Sequence, residues 1–248
     1  MISAPHEVDR PAFYALRSGG WRDLVTILHL PYTAWNLSYV ALGAAAAPTF
    51  RAGRMITVLA AFLLAVGVSA HALDELKGRP LGTTLPRWIL IALATGSLAA
   101  AVAIGVVAAI QVSPLIVPLI VAGALIVPAY NLELFGGRFH SGFWLALAWG
   151  AFPAFTSYFF QDLVVRPAGL VVAAGCFALT AAQRRLSTPV RELRRQTVHV
   201  SGQQQLSDGS VIELTRANLI APIERALIAL CLGVVALATG FVLLRLSA

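Results

Sequence analysis

Residues 88–131 read WILIALATGSLAAAVAIGVVAAIQVSPLIVPLIVAGALIVPAYN, with no Asp, Glu, Lys or Arg anywhere in the run. A bilayer-spanning helix needs ~20 apolar residues, so this stretch is too long for one span. Gln111-Val112-Ser113-Pro114 divides it, because Pro cannot continue the preceding helix and Ser favours a turn. Two antiparallel spans, 88–110 and 113–130, follow. Outward from this pair, further apolar segments lie near 24–47, 55–73, 142–160, 164–183 and 220–244, each bounded by charges, Pro or Gly. Pro31 either kinks the first of them or marks its true start.

The whole 248-residue chain agrees with this reading: 58% of it is hydrophobic and only 12% charged, outside the range of soluble domains. The predicted fold is all-α, a polytopic bundle of seven transmembrane helices. Residues 1–23 form an N-terminal segment, 24–183 a six-helix core, 184–219 a basic connection and 220–248 the last helix. The first 23 residues carry His6, Glu7, Asp9, Arg10, Arg17, Arg22 and Asp23 without an apolar core, unlike a cleavable secretory signal. Of the 18 Lys and Arg, only Arg51, Arg54, Arg166 and Arg245 fall on the side opposite the N-terminus. The positive-inside rule then puts the N-terminus in the cytoplasm and the C-terminus across a plasma (inner) membrane.

The net charge of +7 resides in the connections between apolar runs, which argues against a nucleic-acid binder with a basic stripe on a soluble face. Cys176 and Cys231 lie within apolar runs, so no disulfide framework is expected. The five histidines form no close pair along the chain, against a desaturase-type metal centre. In 184–219, Thr188-Pro189 is the predicted start of a short separate helix. Beyond it, 197–200 and 211–214 are the predicted strands of a hairpin turning near Asp208-Gly209.

Ionisable residues at span boundaries are the informative ones, because desolvating each costs about 2.5–3.5 kcal/mol or more. The densest group is His71, Asp74 and Glu75 at the end of the second span. If the helix continues, the imidazole lies one turn from both carboxylates, a set suited to Mg²⁺ or, with His71 included, to Zn²⁺ or Mn²⁺. The alternative is a solvated helix end with Asp74 paired to Lys77 and Glu75 to Arg79. A second connection holds Tyr130, Asn131 and Glu133, positioned to reach a substrate head group, or with Glu133 simply paired to Arg138. The third carries Arg184, Arg185, Arg191, Arg194 and Arg195, able to clamp a diphosphate or to rest on anionic membrane lipids. Asn36, inside the first span, is expected to face the bundle interior, lining a cavity or tying helices together.

Three stretches together resemble the UbiA superfamily of intramembrane prenyltransferases. Leu30-Pro31-Tyr32-Thr33 leading to Gly43 is similar to that family's opening helix. Ala70-His71-Ala72-Leu73-Asp74-Glu75 with Arg79-Pro80-Leu81-Gly82 is similar to its Asn-Asp-x-x-Asp-x-x-x-Asp motif and trailing Arg-Pro, Asp74 keeping an acid in register. Tyr130-Asn131-Leu132-Glu133-Leu134 and Trp149-Gly150-Ala151-Phe152-Pro153 resemble its fourth connection and fifth helix. The likeness covers about 24–185. Family members are nine-helix bundles with a second Asp-rich motif; here that position is Gln183 to Glu192, with Glu192 the lone acid, and two helices fewer are read.

The resemblance implies an enzyme acting on an isoprenoid or related lipid, by prenyl transfer or terpene-cyclase-like chemistry. In that reading Asp74 and Glu75 hold Mg²⁺, with His71 as third ligand or general base. Arg79, Arg184 and Arg185 contact phosphate, Asn36 and Asn131 line the pocket, and Tyr130 and Glu133 face the reacting group. The competing expectation is a non-catalytic lipid-binding protein or assembly partner that uses 184–219 to bind another protein.

Overall fold

The computed structural model describes residues 10–247. Of the N-terminal segment, His6, Glu7 and Asp9 therefore lie outside the described residues. Eight helices and one hairpin follow: α1 (Trp21–Ile27), α2 (Leu30–Ala46), α3 (Ala52–Gly78), α4 (Arg87–Gln111), α5 (Pro114–Asn131), α6 (Gly142–Asp162), α7 (Pro167–Arg195), β1 (Gln203–Gln205), β2 (Val211–Glu213) and α8 (Arg216–Leu246). Among the described residues, α3, α4, α5, α6 and α8 are long and apolar enough to cross a membrane, as an integral membrane protein requires. Of the two other expected spans, α2 has 17 residues, and α7 is long enough but carries five arginines over its last three turns or so.

Local chemistry explains most boundaries. Pro31 stands in the first turn of α2, where its missing N–H costs nothing, so it marks the start and does not kink the helix. His29, with φ +46°, makes the break from α1. At Ser113 the side chain accepts a hydrogen bond from the Leu115 amide, so the polar tetrad 111–114 turns the chain as its composition predicts. Two helices are π-helical in their middles, α3 over Leu63–Ala70 and α6 over Ala146–Ala151. Such turns carry one extra residue and re-aim the side chains that follow.

The connection 184–219 differs from expectation in two places. α7 runs through Pro189 to Arg195 as one helix, so no separate helix starts at Thr188. Thr188 Oγ1 and Ser187 Oγ both donate to the Arg184 carbonyl in the turn before Pro189. The hairpin is present and turns through Gly209 at φ +84°, but its first strand is Gln203–Gln205, paired Gln203 with Glu213 and Gln205 with Val211; 197–200 is not a strand.

Helix α2 is the centre of the bundle, packed between α6 and α8. Its contact with α6 is so close that a Cβ on Gly43 would overlap the Ala154 carbonyl. α6 meets α7 in the same way: a Cβ on Gly150 would lie 2.6 Å from the Cys176 carbonyl oxygen and from Thr180 Oγ1. Small residues at helix crossings let dispersion contacts form where lipid offers no hydrophobic drive. At one end of the bundle, Arg54 donates to the Phe160 and Gln161 carbonyls, Arg245 to those of Ala45 and Ala47, and the Thr49 amide to Asp162. Gly43→Ala is therefore expected to destabilise the bundle by about 1–3 kcal/mol. Gly96→Ala, in open space on α4, is expected to be neutral or to stabilise by about 0.5–1 kcal/mol. Thermal unfolding of both variants in one detergent checks the contrast.

Candidate functional site

At the end of the bundle opposite Arg54 and Arg245, a polar cavity of about 170 Å³ opens between α2, α3, α5, α6, α7 and the N-terminal segment. His71 and Asp74 reach it from α3, Asn36 from α2, Tyr130 and Asn131 from the end of α5, and Arg184 from α7. These six residues singled out in the sequence thus converge, and Arg191, Arg194 and Arg195 of the basic connection converge with them. His29 stacks on His71 with ring centroids 4.0 Å apart and planes 10° apart, so the two histidines distant in sequence form a pair in space. His71 Nδ1 lies 3.1 Å from the Gly67 carbonyl, inside the π-helical stretch, and His29 Nδ1 lies 3.0 Å from the Tyr14 hydroxyl.

Four expected site residues are elsewhere. Glu75 is buried and turned away from Asp74: its Oε1 accepts from the Thr83 amide and hydroxyl, both at 2.8 Å, and its Oε2 from the Leu81 amide at 3.1 Å. Arg79 reaches the Thr83 and Leu85 carbonyls at 2.6 and 2.9 Å and does not line the cavity. Both side chains lace the connection 79–85, and Asp23 completes the work by accepting from the Thr84 amide and hydroxyl. Burial pushes the Asp23 carboxyl up, but the hydrogen bonds from Thr84 and Gly19 outweigh it and hold the group below the usual carboxylate range. Glu133 is exposed and pairs with Lys77 at 2.5 Å, a hydrogen bond that holds its carboxyl low; it faces neither the cavity nor Arg138. Arg185 is exposed on the outer face of α7.

Asp74 is therefore not joined by a second carboxylate, and neither of the ion pairs Asp74–Lys77 and Glu75–Arg79 forms. Among the described residues no group of three His, Cys, Asp or Glu is placed to hold a metal ion. The donor set does not fit the expected Mg²⁺ centre: a cation with a strict octahedral shell, for which paired acids are the usual anchor, would find Asp74 alone, since Glu224, the other acid of the lining, is paired with Arg194.

Further members of the basic connection join Arg184 at the site. Arg191 and Arg195 line the cavity with Arg184, and the Asp74 carboxylate feels Arg184, Arg191, Arg195 and His140. Positions 184, 188, 191 and 195 follow the 3.6-residue period, so one stripe of a continuous helix presents all three guanidiniums. That periodicity was readable, but only for a helix uninterrupted at Pro189. Burial, reinforced by Arg184 and Arg195, pushes the Arg191 guanidinium down to about 10. Arg194 by contrast makes a two-pronged pair with Glu224 at 2.7 and 2.8 Å. It also donates to the Arg10 carbonyl while Arg195 donates to that of Pro11, which draws the N-terminal segment across the cavity mouth.

Trp149, on the π-helical turn of α6, borders both this cavity and an apolar one of about 110 Å³ lined by Phe62, Val66, Leu98, Val127 and Phe152 among others. A polar chamber rich in cations thus shares a wall with a chamber suited to hydrocarbon. No family model, curated protein or solved structure matches this chain.

Replacing Glu75 by Gln removes a charged acceptor of three hydrogen bonds and is expected to cost about 1.5–3 kcal/mol. The loss should appear as faster hydrogen exchange at the Leu81 and Thr83 amides. Because the folded Asp23 value is depressed, the stability it contributes is present above the ordinary carboxylate range and fades as pH falls through its folded value. Protection of the Thr84 amide, taken relative to its intrinsic exchange rate at each pH, should accordingly fall on acidification.

Proposed function

We propose that the protein is a divergent UbiA-like membrane enzyme acting on an isoprenoid with an anionic, phosphate-bearing head. The observation that carries this reading is the shared wall at Trp149: guanidiniums and Asp74 on one side, an aliphatic and aromatic chamber on the other. An amphiphile with a charged head and hydrocarbon tail matches both halves, and ligand sites are usually concave, mainly apolar and supplied with a few convergent polar groups. Five helices suited to a bilayer supply a setting for a lipid substrate. The bundle of seven spans, the cytoplasmic placement of the N-terminus and the prenyl chemistry belong to this proposal.

In prenyl transfer the allylic C–O bond breaks and its electron pair leaves on the diphosphate oxygen, where Arg184, Arg191 and Arg195 would meet the developing charge. Tyr130 and Trp149, whose ring centroids lie 4.7 Å apart in the cavity wall, would supply aromatic surface for a carbocation. The acceptor nucleophile bonds to the allylic carbon and releases a proton, for which Asp74 is the one carboxylate at hand without a described hydrogen-bond partner. A terpene-cyclase-like course would use a protonated Asp74 to protonate an alkene and would retain the same rings for the cation.

The test is turnover of a prenyl diphosphate by purified protein in membranes supplied with a lipid extract as acceptor source, followed by mass spectrometry of lipid products. Asp74→Asn is expected to lower turnover at least about 100-fold, the scale of general acid–base contributions. Glu133→Gln, outside the cavity, should stay within about twofold of the parent. Absence of turnover, with lipid nonetheless bound and unaffected by Asp74→Asn, would replace the enzyme by a lipid-binding protein.

A further inference from the structure

We infer that the cavity grips the phosphate-type head of its ligand with guanidinium groups directly, with no divalent cation bridging protein and anion. The inference rests on the isoprenoid reading for the identity of the tail, but not for the nature of the grip.

Three observations carry it. The first is the charge balance of the cavity wall. Arg184, Arg191 and Arg195 make no ion pair with any described carboxylate, whereas Asp74 is the one acid they face apart from Glu224, which Arg194 already occupies. Partly buried cations in such excess over acids repel one another and are stabilised when an anion enters. The second is the destination of the other acids. Glu75 and Asp23 are both consumed as backbone caps of 79–85, and Glu133 is held outside by Lys77. A metal bridge to a diphosphate needs carboxylates to anchor the cation, and this fold has directed them to other tasks. The third is geometry. The three arginines lie on one stripe of α7, and the planar, two-pronged guanidinium matches phosphate oxygens without a metal's mediation.

The role of Asp74 separates the two modes of binding by sign. If it anchored a cation, neutralising it would weaken the anion's hold. In a cavity of bare guanidiniums, Asp74 is instead a repulsive neighbour to the head group, and Asp74→Asn should leave binding intact or tighten it while turnover is lost.

Binding measured by calorimetry or fluorescence quenching on the full chain in nanodiscs tests this, with farnesyl diphosphate, farnesol and inorganic diphosphate as probes, each in EDTA and in Mg²⁺. The expected result is farnesyl diphosphate affinity equal within about threefold in both buffers and at least about tenfold above farnesol. Arg184→Gln and Arg191→Gln should each lose at least about tenfold in EDTA, while Arg185→Gln on the outer face should not change it. Thermal unfolding of each variant, with Arg191→Lys as the charge-conserving control, separates lost contacts from lost folding. Farnesyl diphosphate binding that requires Mg²⁺, or that Asp74→Asn abolishes, overturns the inference and leaves the isoprenoid reading standing. Inorganic diphosphate binding in EDTA as tightly as the farnesyl ester retains the guanidinium grip but overturns the lipid tail. Farnesol binding as tightly as its diphosphate overturns recognition of the head altogether.

Discussion

A polar group withdrawn from water inside an apolar bundle must find a partner in the protein, and this constraint shapes every feature of the chain. At one end, arginines 54 and 245 close off helix-terminal carbonyls. At the other, Asp23 and Glu75 accept from amides and hydroxyls of the connection after α3, and Arg79 donates to its carbonyls. Arg194 and Glu224 neutralise each other where α7 meets α8. Around the cavity, Asp74 faces Arg184, Arg191 and Arg195, none of which forms an ion pair with a described carboxylate. The site is defined less by which ionisable residues are near the membrane than by which of the cavity's cations lack an opposite charge as partner.

The same logic decides how much was legible beforehand. Helical segments were readable because a bilayer imposes length and apolarity on consecutive residues, and the polar tetrad 111–114 and the turn at Asp208-Gly209 are local signals with local outcomes. His71, Asp74, Tyr130, Asn131 and Arg184 were legible as polar groups at span ends, and Asn36 as a polar group within a span. Glu75 was misjudged because adjacent positions on a helix point about 100° apart, and its partners, Leu81 and Thr83, belong to a loop whose return path no periodicity announces. Arg79 and Arg185 went astray for the same reason. Arg191 and Arg195 were legible as part of a basic clamp but not as one stripe with Arg184, since Pro189 reads as a helix start although α7 passes through it. The pairing of His29 with His71 depends on a left-handed turn between α1 and α2, which no residue pattern there specifies.

Long-range assembly also gives the cavity its unusual composition. Its walls come from the N-terminal segment, five helices from α2 to α7 and the start of α8, so that no short motif contains it. The segment from Arg10 to Tyr14 is tied by the Arg10 and Pro11 carbonyls to Arg194 and Arg195 and by a tyrosine hydroxyl to His29. These are contacts of backbone shape and of one side chain, which leave little trace in composition. Close helix crossings at Gly43 and Gly150 fix the spacing of α2, α6 and α7 behind the site, so that Trp149 keeps its place between the two chambers.

The widened turns at Leu63–Ala70 and Ala146–Ala151 immediately precede or contain His71 and Trp149. Each is equivalent to one residue inserted into an otherwise regular helix. In any alignment of this chain with a protein of regular helices, a single-residue gap belongs inside each of those stretches. Without it the downstream positions are rotated by about 100° and pair cavity residues with lipid-facing ones. Distance along the sequence and direction in space are thereby decoupled at the two helices where direction matters most.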